Sequence, residues 1–183
     1  MDPRINNDKN ISTGHYFDQD ALVPARNWYV LLTLFLALTL NFMPLEGLAL
    51  IIRPDFVAIT IIYWSINQLH KMGMSLAFCM GLLMDVGSAS ILGEHALAYC
   101  IIVYLALIFR RRLCMFNLFQ QAPQISLILF IMQITLVITA VSTGSGFPGW
   151  HYFLSSFTSG LLWVPISFLY NLPLESKPDP NAL

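Results

Sequence analysis

The stretch "IIRPDFVAITIIYWSI", residues 51–66, decides how this chain is read. It is almost wholly apolar, yet Arg53, Pro54 and Asp55 sit side by side near its start. Each of the three is costly inside a lipid bilayer, through charge or through a missing backbone donor. The clean apolar part, Phe56 to Ile66, is too short to cross a bilayer alone, because a spanning helix needs about 20 residues.

The rest of the chain resembles this stretch in composition. Of 183 residues, 57% are hydrophobic and 10% charged, against roughly 25% charged in soluble domains. Such a chain cannot bury its apolar surface in one soluble core. Residues 27–172 read as one polytopic membrane domain. The polar segment 1–26 lacks hydrophobic periodicity and reads as a disordered cytoplasmic tail, too long for the charged region of a cleavable signal peptide. The proline-rich segment 173–183 reads as a second disordered cytoplasmic tail. Cys79, Cys100 and Cys114 have no metal-ligand spacing and read as small packing residues.

Six spans are expected, near Trp28–Pro44, Gly47–Ile66, Met72–Ile91, Glu94–Phe109, Pro123–Thr143 and Tyr152–Asn171. Pro123 is placed in the first turn of the fifth, where its missing donor costs nothing. Of the nine Lys and Arg residues, all but Arg53 then fall on one side. The positive-inside rule makes that side cytoplasmic, together with both termini, in a bacterial inner membrane.

Within the spans, Gly73, Ala77, Gly81 and Asp85 recur at every fourth position and form one helical stripe. Small residues so spaced permit close backbone approach, either inside the protein or to a partner helix. Ser156 and Gly160 make a similar pair in the last span, beside Ser155, Thr158 and Ser159. Trp163 follows them, and Pro165 is expected to bend the helix and free a carbonyl. Glu94 is expected to complement the dipole at the start of the fourth span, with His95 beside it. No second histidine completes a metalloprotease motif, and the serines have no evident base. There is no phosphate loop or dinucleotide fingerprint, and the cations are too few for nucleic acid. No catalytic, cofactor-binding or metal-binding residue is assigned. Arg110, Arg111 and Arg112 read as topology anchors, and secondarily as ligands for acidic lipid.

Arg53 and Asp85 lie equally far from the turn between the second and third spans, which centres near Leu69. At ~1.5 Å per residue they should share a depth, and the two are expected to pair, with Pro54 tilting the segment to join them. The alternative is that Arg53 reaches the outer interface, toward Glu46 or Glu94.

"RPDFVAITIIYW" at 53–64, "GLLMDVGSASILGEHAL" at 81–97 and "SGLLWVP" at 159–165, in that order, resemble the MreD family of rod shape-determining proteins. The resemblance covers roughly residues 28–172. One departure is Val164, which separates Trp163 from Pro165, where close relatives often place the proline directly after tryptophan. The resemblance implies a non-enzymatic membrane subunit without cofactors. Its partner would be the periplasmic scaffold MreC. In the wider complex, MreB filaments, the RodA glycosyltransferase and its transpeptidase partner direct lateral peptidoglycan synthesis. It also implies a fold similar to the substrate-binding subunits of energy-coupling-factor transporters. A different expectation is a transporter subunit that binds a small molecule, which would need an enclosed cavity with convergent polar groups.

Overall fold

A computed structural model describes residues 26–44, 47, 53–68, 72–144, 146–147 and 149–172. The tails and Lys71 lie outside the described residues. The described chain forms six α-helices, with no strand among the described residues: α1 Asn27–Asn41, α2 Phe56–Asn67, α3 Met74–Gly87, α4 Glu94–Cys114, α5 Leu118–Ser142 and α6 Leu154–Asn171. A short 3₁₀ turn, Trp150–Phe153, leads into α6.

The architecture is organised around α2. All ten positions from Val57 to Ile66 are buried, as expected of a helix that is apolar on every side. α1, α4 and α6 enclose it, while α3 packs on α4 and α5 lies between α4 and α6. Aromatic rings seal one half of the core. Trp64 meets Tyr29 edge-on at 5.7 Å and stacks on Tyr170 at 6.2 Å. The Trp64 indole N–H donates to Thr33 at 2.9 Å.

Side-chain contacts fix the helix directions. Asp55 meets Tyr99 and Ile66 meets Arg110, so α2 and α4 run parallel. Ser155 meets Arg53 and Tyr170 meets Thr60, so α6 runs the same way. The helices alternate up and down, which gathers like charges. Arg26 and Arg110–Arg112 fall at one end, the basic end. Asp55, Asp85 and Glu94, the acidic residues among those described, fall at the other with Arg53.

The expected six elements are present with shifted boundaries. α2 begins only at Phe56 and has 12 residues, or ~18 Å of helix against a ~30 Å hydrocarbon core. By length and composition α5, with 25 residues and mean hydropathy 2.3, is the described helix able to cross a membrane by itself. α5 starts at Leu118, so Pro123 lies inside the helix rather than in its first turn. The reason is Gln121, whose amide donates to the carbonyls of Leu113 and Phe116 at 3.0 Å each and fastens the turn from α4. α6 runs unbroken through Pro165, whose side chain is exposed.

The α3 stripe is an internal contact, and it is shorter than expected. A Cβ on Gly81 would meet the Ala96 backbone, 2.5 Å from its nitrogen, so α3 and α4 touch main chain to main chain. Ala77 is fully buried beside it. Gly73 does not belong to the contact. It precedes the first turn of α3, and nothing lies within 4 Å of a Cβ built there. Gly87 makes a second close approach, against the ring of Phe42.

Gly81→Leu should therefore cost more than the ~1–3 kcal/mol of ordinary overpacking, because the atoms it meets are backbone. Leu83→Ile, at a position 51% exposed, should leave folding unchanged. Thermal unfolding of the two purified variants checks this, and equal losses would place the contact elsewhere.

Candidate functional site

The acidic end holds two carboxylate centres, and the first solves the puzzle of residues 53–55. Pro54 cannot continue a helix backward and carries no N–H to satisfy. Residues 53–55 are not helical, with Asp55 itself extended, and α2 starts immediately after them. Asp55 is the N-cap: its Oδ1 accepts from the Ala58 N–H at 3.0 Å. The same carboxylate accepts from Asn41 Nδ2 on α1 at 2.8 Å and from the Tyr99 hydroxyl on α4 at 3.0 Å. The exposed backbone groups of the entry are matched in turn. The Asp55 N–H donates to Ser159 Oγ at 3.2 Å, and the Phe56 N–H to Asn41 Oδ1 at 3.0 Å. Ser155 Oγ donates to the Arg53 carbonyl at 2.7 Å. Four helices thus meet on three residues of irregular chain. Such backbone is tolerated at membrane depth only where protein satisfies it.

The second centre is Asp85, 1% exposed at the end of α3. Its Oδ2 accepts from the Gly93 N–H at 2.7 Å. Its Oδ1 accepts from the His95 N–H at 2.8 Å and Ser90 Oγ at 3.1 Å, and lies 2.8 Å from His95 Nδ1. Asp85 therefore caps α4 from the preceding helix. The N–H groups are capped by Asp85, while Glu94, the first helical residue, places its charge in the first turn, the expected complement to the dipole. Gly93 suits this geometry: its φ of 102° turns the chain so that the Gly93 and His95 N–H groups, two residues apart, both reach one carboxylate.

The two centres are linked through α4. His95 and Tyr99 lie one turn apart, with ring centroids 6.1 Å apart, one on each carboxylate. Arg110, eleven residues beyond Tyr99, donates from Nε to the Ile66 carbonyl at 2.7 Å. Both ends of α2 are thus held by α4, with an acid at the N-terminus and a cation at the C-terminus, the favourable sense for its dipole. Arg110 does more than anchor topology, while Arg111 and Arg112 stay exposed.

Arg53 and Asp85 do not pair. Asp85 is occupied by Ser90, Gly93 and His95, and no ion pair joins Arg53 to an acid among the described residues. The depth argument assumed a helix through residue 53, and the non-helical segment removes that phase. Glu46, the other proposed neighbour, lies outside the described residues.

In α6, Ser156 and Gly160 face α5. The Ser156 carbonyl accepts from Ser126 Oγ at 3.2 Å, and a Cβ on Gly160 would lie 2.7 Å from Ser126 Cβ. Trp163 is buried and donates to Gln121 Oε1 at 3.2 Å. These residues form an internal seam. Above it lies an open groove of about 480 Å³ between Ala122, Ser126, Phe130, Phe157 and Leu161, lined almost entirely by apolar atoms. Asn41, Tyr99, Gln121 and Ser126 were not singled out from sequence. Their available signal was a polar side chain alone within an apolar run. No cluster of three metal-ligating side chains occurs among the described residues.

The profile of the rod shape-determining protein MreD family matches residues 25–172. The chain belongs to the MreD family. It is a membrane-associated family. The rod shape-determining protein MreD of Haemophilus influenzae is 28% identical over 153 residues, covering 82% of this chain and 93% of that relative. No solved structure matches the chain, so the expected similarity to energy-coupling-factor subunits gains no support. Within the MreD match lie Asp55 and Asp85, the caps of α2 and α4.

Two outcomes follow from the geometry. Asp55→Ala removes a cap and strands Asn41 and Tyr99, at roughly 3 kcal/mol in all; Asp55→Asn should cost less, since its amide oxygen still caps. Hydrogen exchange at Phe56–Ala58 checks both. The charge exchange Arg53→Asp with Asp85→Arg should rescue nothing: the double variant should unfold at least as early as Asp85→Arg alone, and a recovered melting temperature would restore the pair.

Proposed function

We propose that this MreD chain is a non-enzymatic, membrane-embedded structural subunit. It binds MreC and helps maintain cell shape by organising lateral peptidoglycan synthesis in the bacterial inner membrane. The observation that carries this reading is where the polar groups go. Asp55, Asp85, Asn41, Tyr99, Ser155 and Ser159 are spent on helix ends and irregular backbone. Each is hydrogen-bonded within the bundle, whereas a small-molecule site would require polar groups convergent on an enclosed cavity. The outward surfaces are apolar, with Phe35, Val86, Phe157 and Leu161 more than half exposed, which suits lipid or a partner helix.

In this reading the basic end faces the cytoplasm, with both termini, and the acidic end faces the periplasm. The short α2 does not need to span, because α1, α4 and α6 surround it. Partners in the wider complex would include MreB, RodA and its transpeptidase.

Two measurements test the proposal. Reporter fusions should give a cytoplasmic signal at the C-terminus and a periplasmic one at Phe147; the reverse pair would overturn the topology. Crosslinking in intact membranes followed by purification should recover MreC. A chain that recovers no MreC but retains a small molecule would favour the transporter reading instead.

A further inference from the structure

Arg53 stands apart from the network around it. Its backbone is held from the C-terminal side. Ser155 holds its carbonyl at 2.7 Å, Pro54 restricts the next φ, and Ser159 holds the Asp55 N–H at 3.2 Å. The direction in which its side chain leaves the main chain is therefore restricted by Pro54 and by two hydroxyls of α6. Yet its guanidinium meets no acid among the described residues, although Asp55, Asp85 and Glu94 share its end of the bundle. Asp55 and Asp85 are engaged by their caps, and neither pairs with it. A half-buried cation at a membrane boundary that meets no counter-charge among the described residues is open to one supplied from outside the chain.

The surroundings say which kind. Exposed apolar side chains flank the residues that touch this segment: Leu154 beside Ser155, and Phe42 and Met43 beside Asn41, at 48%, 40% and 56% exposure. Arg53 thus emerges where an acyl-facing surface ends. An anion at that level with an apolar body below it is a phospholipid. A guanidinium presents paired donors that match phosphate oxygens bidentately.

We propose that Arg53 binds the phosphate of a phospholipid headgroup at the acidic end of the bundle, seating the lipid against the start of α6. This goes beyond the structural role proposed above and does not depend on MreC.

The test uses the full chain in nanodiscs with photoactivatable phosphatidylglycerol, its diazirine close to the headgroup. The matching diacylglycerol without phosphate runs in parallel, and crosslinks are mapped by peptide. Phosphatidylglycerol should label residues 150–158 more strongly than diacylglycerol. Arg53→Gln should reduce that labelling about tenfold, the scale of one charge-assisted hydrogen bond. Arg53→Lys should retain part of it, and labelling near Arg110–Arg112 should stay constant as an internal control of folding. Glu46→Gln should not reduce labelling. Equal labelling by diacylglycerol, no change in Arg53→Gln, or a loss in Glu46→Gln equal to that in Arg53→Gln would each overturn the proposal. Displacement by inorganic phosphate would point to a free-anion site instead. Unchanged lipid labelling with loss of a protein crosslink in Arg53→Gln would assign the residue to a partner's carboxylate.

Discussion

The Asp55 carboxylate carries the constraint on which the rest of the bundle depends. A helix end inside a membrane protein has no water to accept its first N–H groups. α2 begins at such an end, and each group left unmatched there would cost several kcal/mol. Asp55 matches one N–H of its own helix and draws in Asn41 from α1 and Tyr99 from α4. One side chain therefore sets both where α2 starts and which helices stand beside it. Pro54 complements this: without a donor, it leaves one fewer group to satisfy.

α4 transmits that constraint along the bundle. Tyr99 holds the start of α2 and Arg110 its end. Eleven residues of helix rise ~16 Å, close to the ~18 Å of the twelve residues between the caps. The stretch of α4 between these contacts matches α2 because the two helices run parallel and α2 is held at both ends. α4 is itself fixed to α3 by Asp85 and by the contact of Gly81 with Ala96. The order of dependence runs from α3 through α4 to α2, and then to α1 and α6.

Much of this was legible in the sequence, and the reasons differ by residue. Helix number followed from apolar runs, whose burial in lipid or protein needs no partner to be named. The close approach at Gly81 followed from spacing, since small residues four apart share a face. Gly73 fell in the same series but precedes the helix, and a spacing rule cannot see a boundary. Asp85 was recognised as protein-facing, but its partner was misassigned. Equal depth in a hairpin is a weak condition, whereas ten residues downstream lay a helix start with unmet N–H groups. The caps of α2 were hidden for another reason. Asn41, Tyr99 and Ser159 come from three distant segments, and only tertiary packing brings them to Asp55.

That difference explains why this fold uses charged residues where an apolar chain would seem cheaper. Between apolar helices in lipid there is no hydrophobic driving force, so packing and hydrogen bonds must specify which helix meets which. A seam of leucines would tolerate sliding by a turn. A carboxylate that must receive an amide, a phenol and a backbone N–H does not. Asp55 and Asp85 each sit where the chain changes direction, so a slip would expose unpaired backbone as well as an unpaired charge. The opposite end closes through aromatic stacking of Trp64 on Tyr170, through Gln121 and through Arg110 at the Ile66 carbonyl. A bundle built this way is registered by carboxylates that cap helix starts at one end, and by ring packing and donors to helix-end carbonyls at the end where its arginines gather.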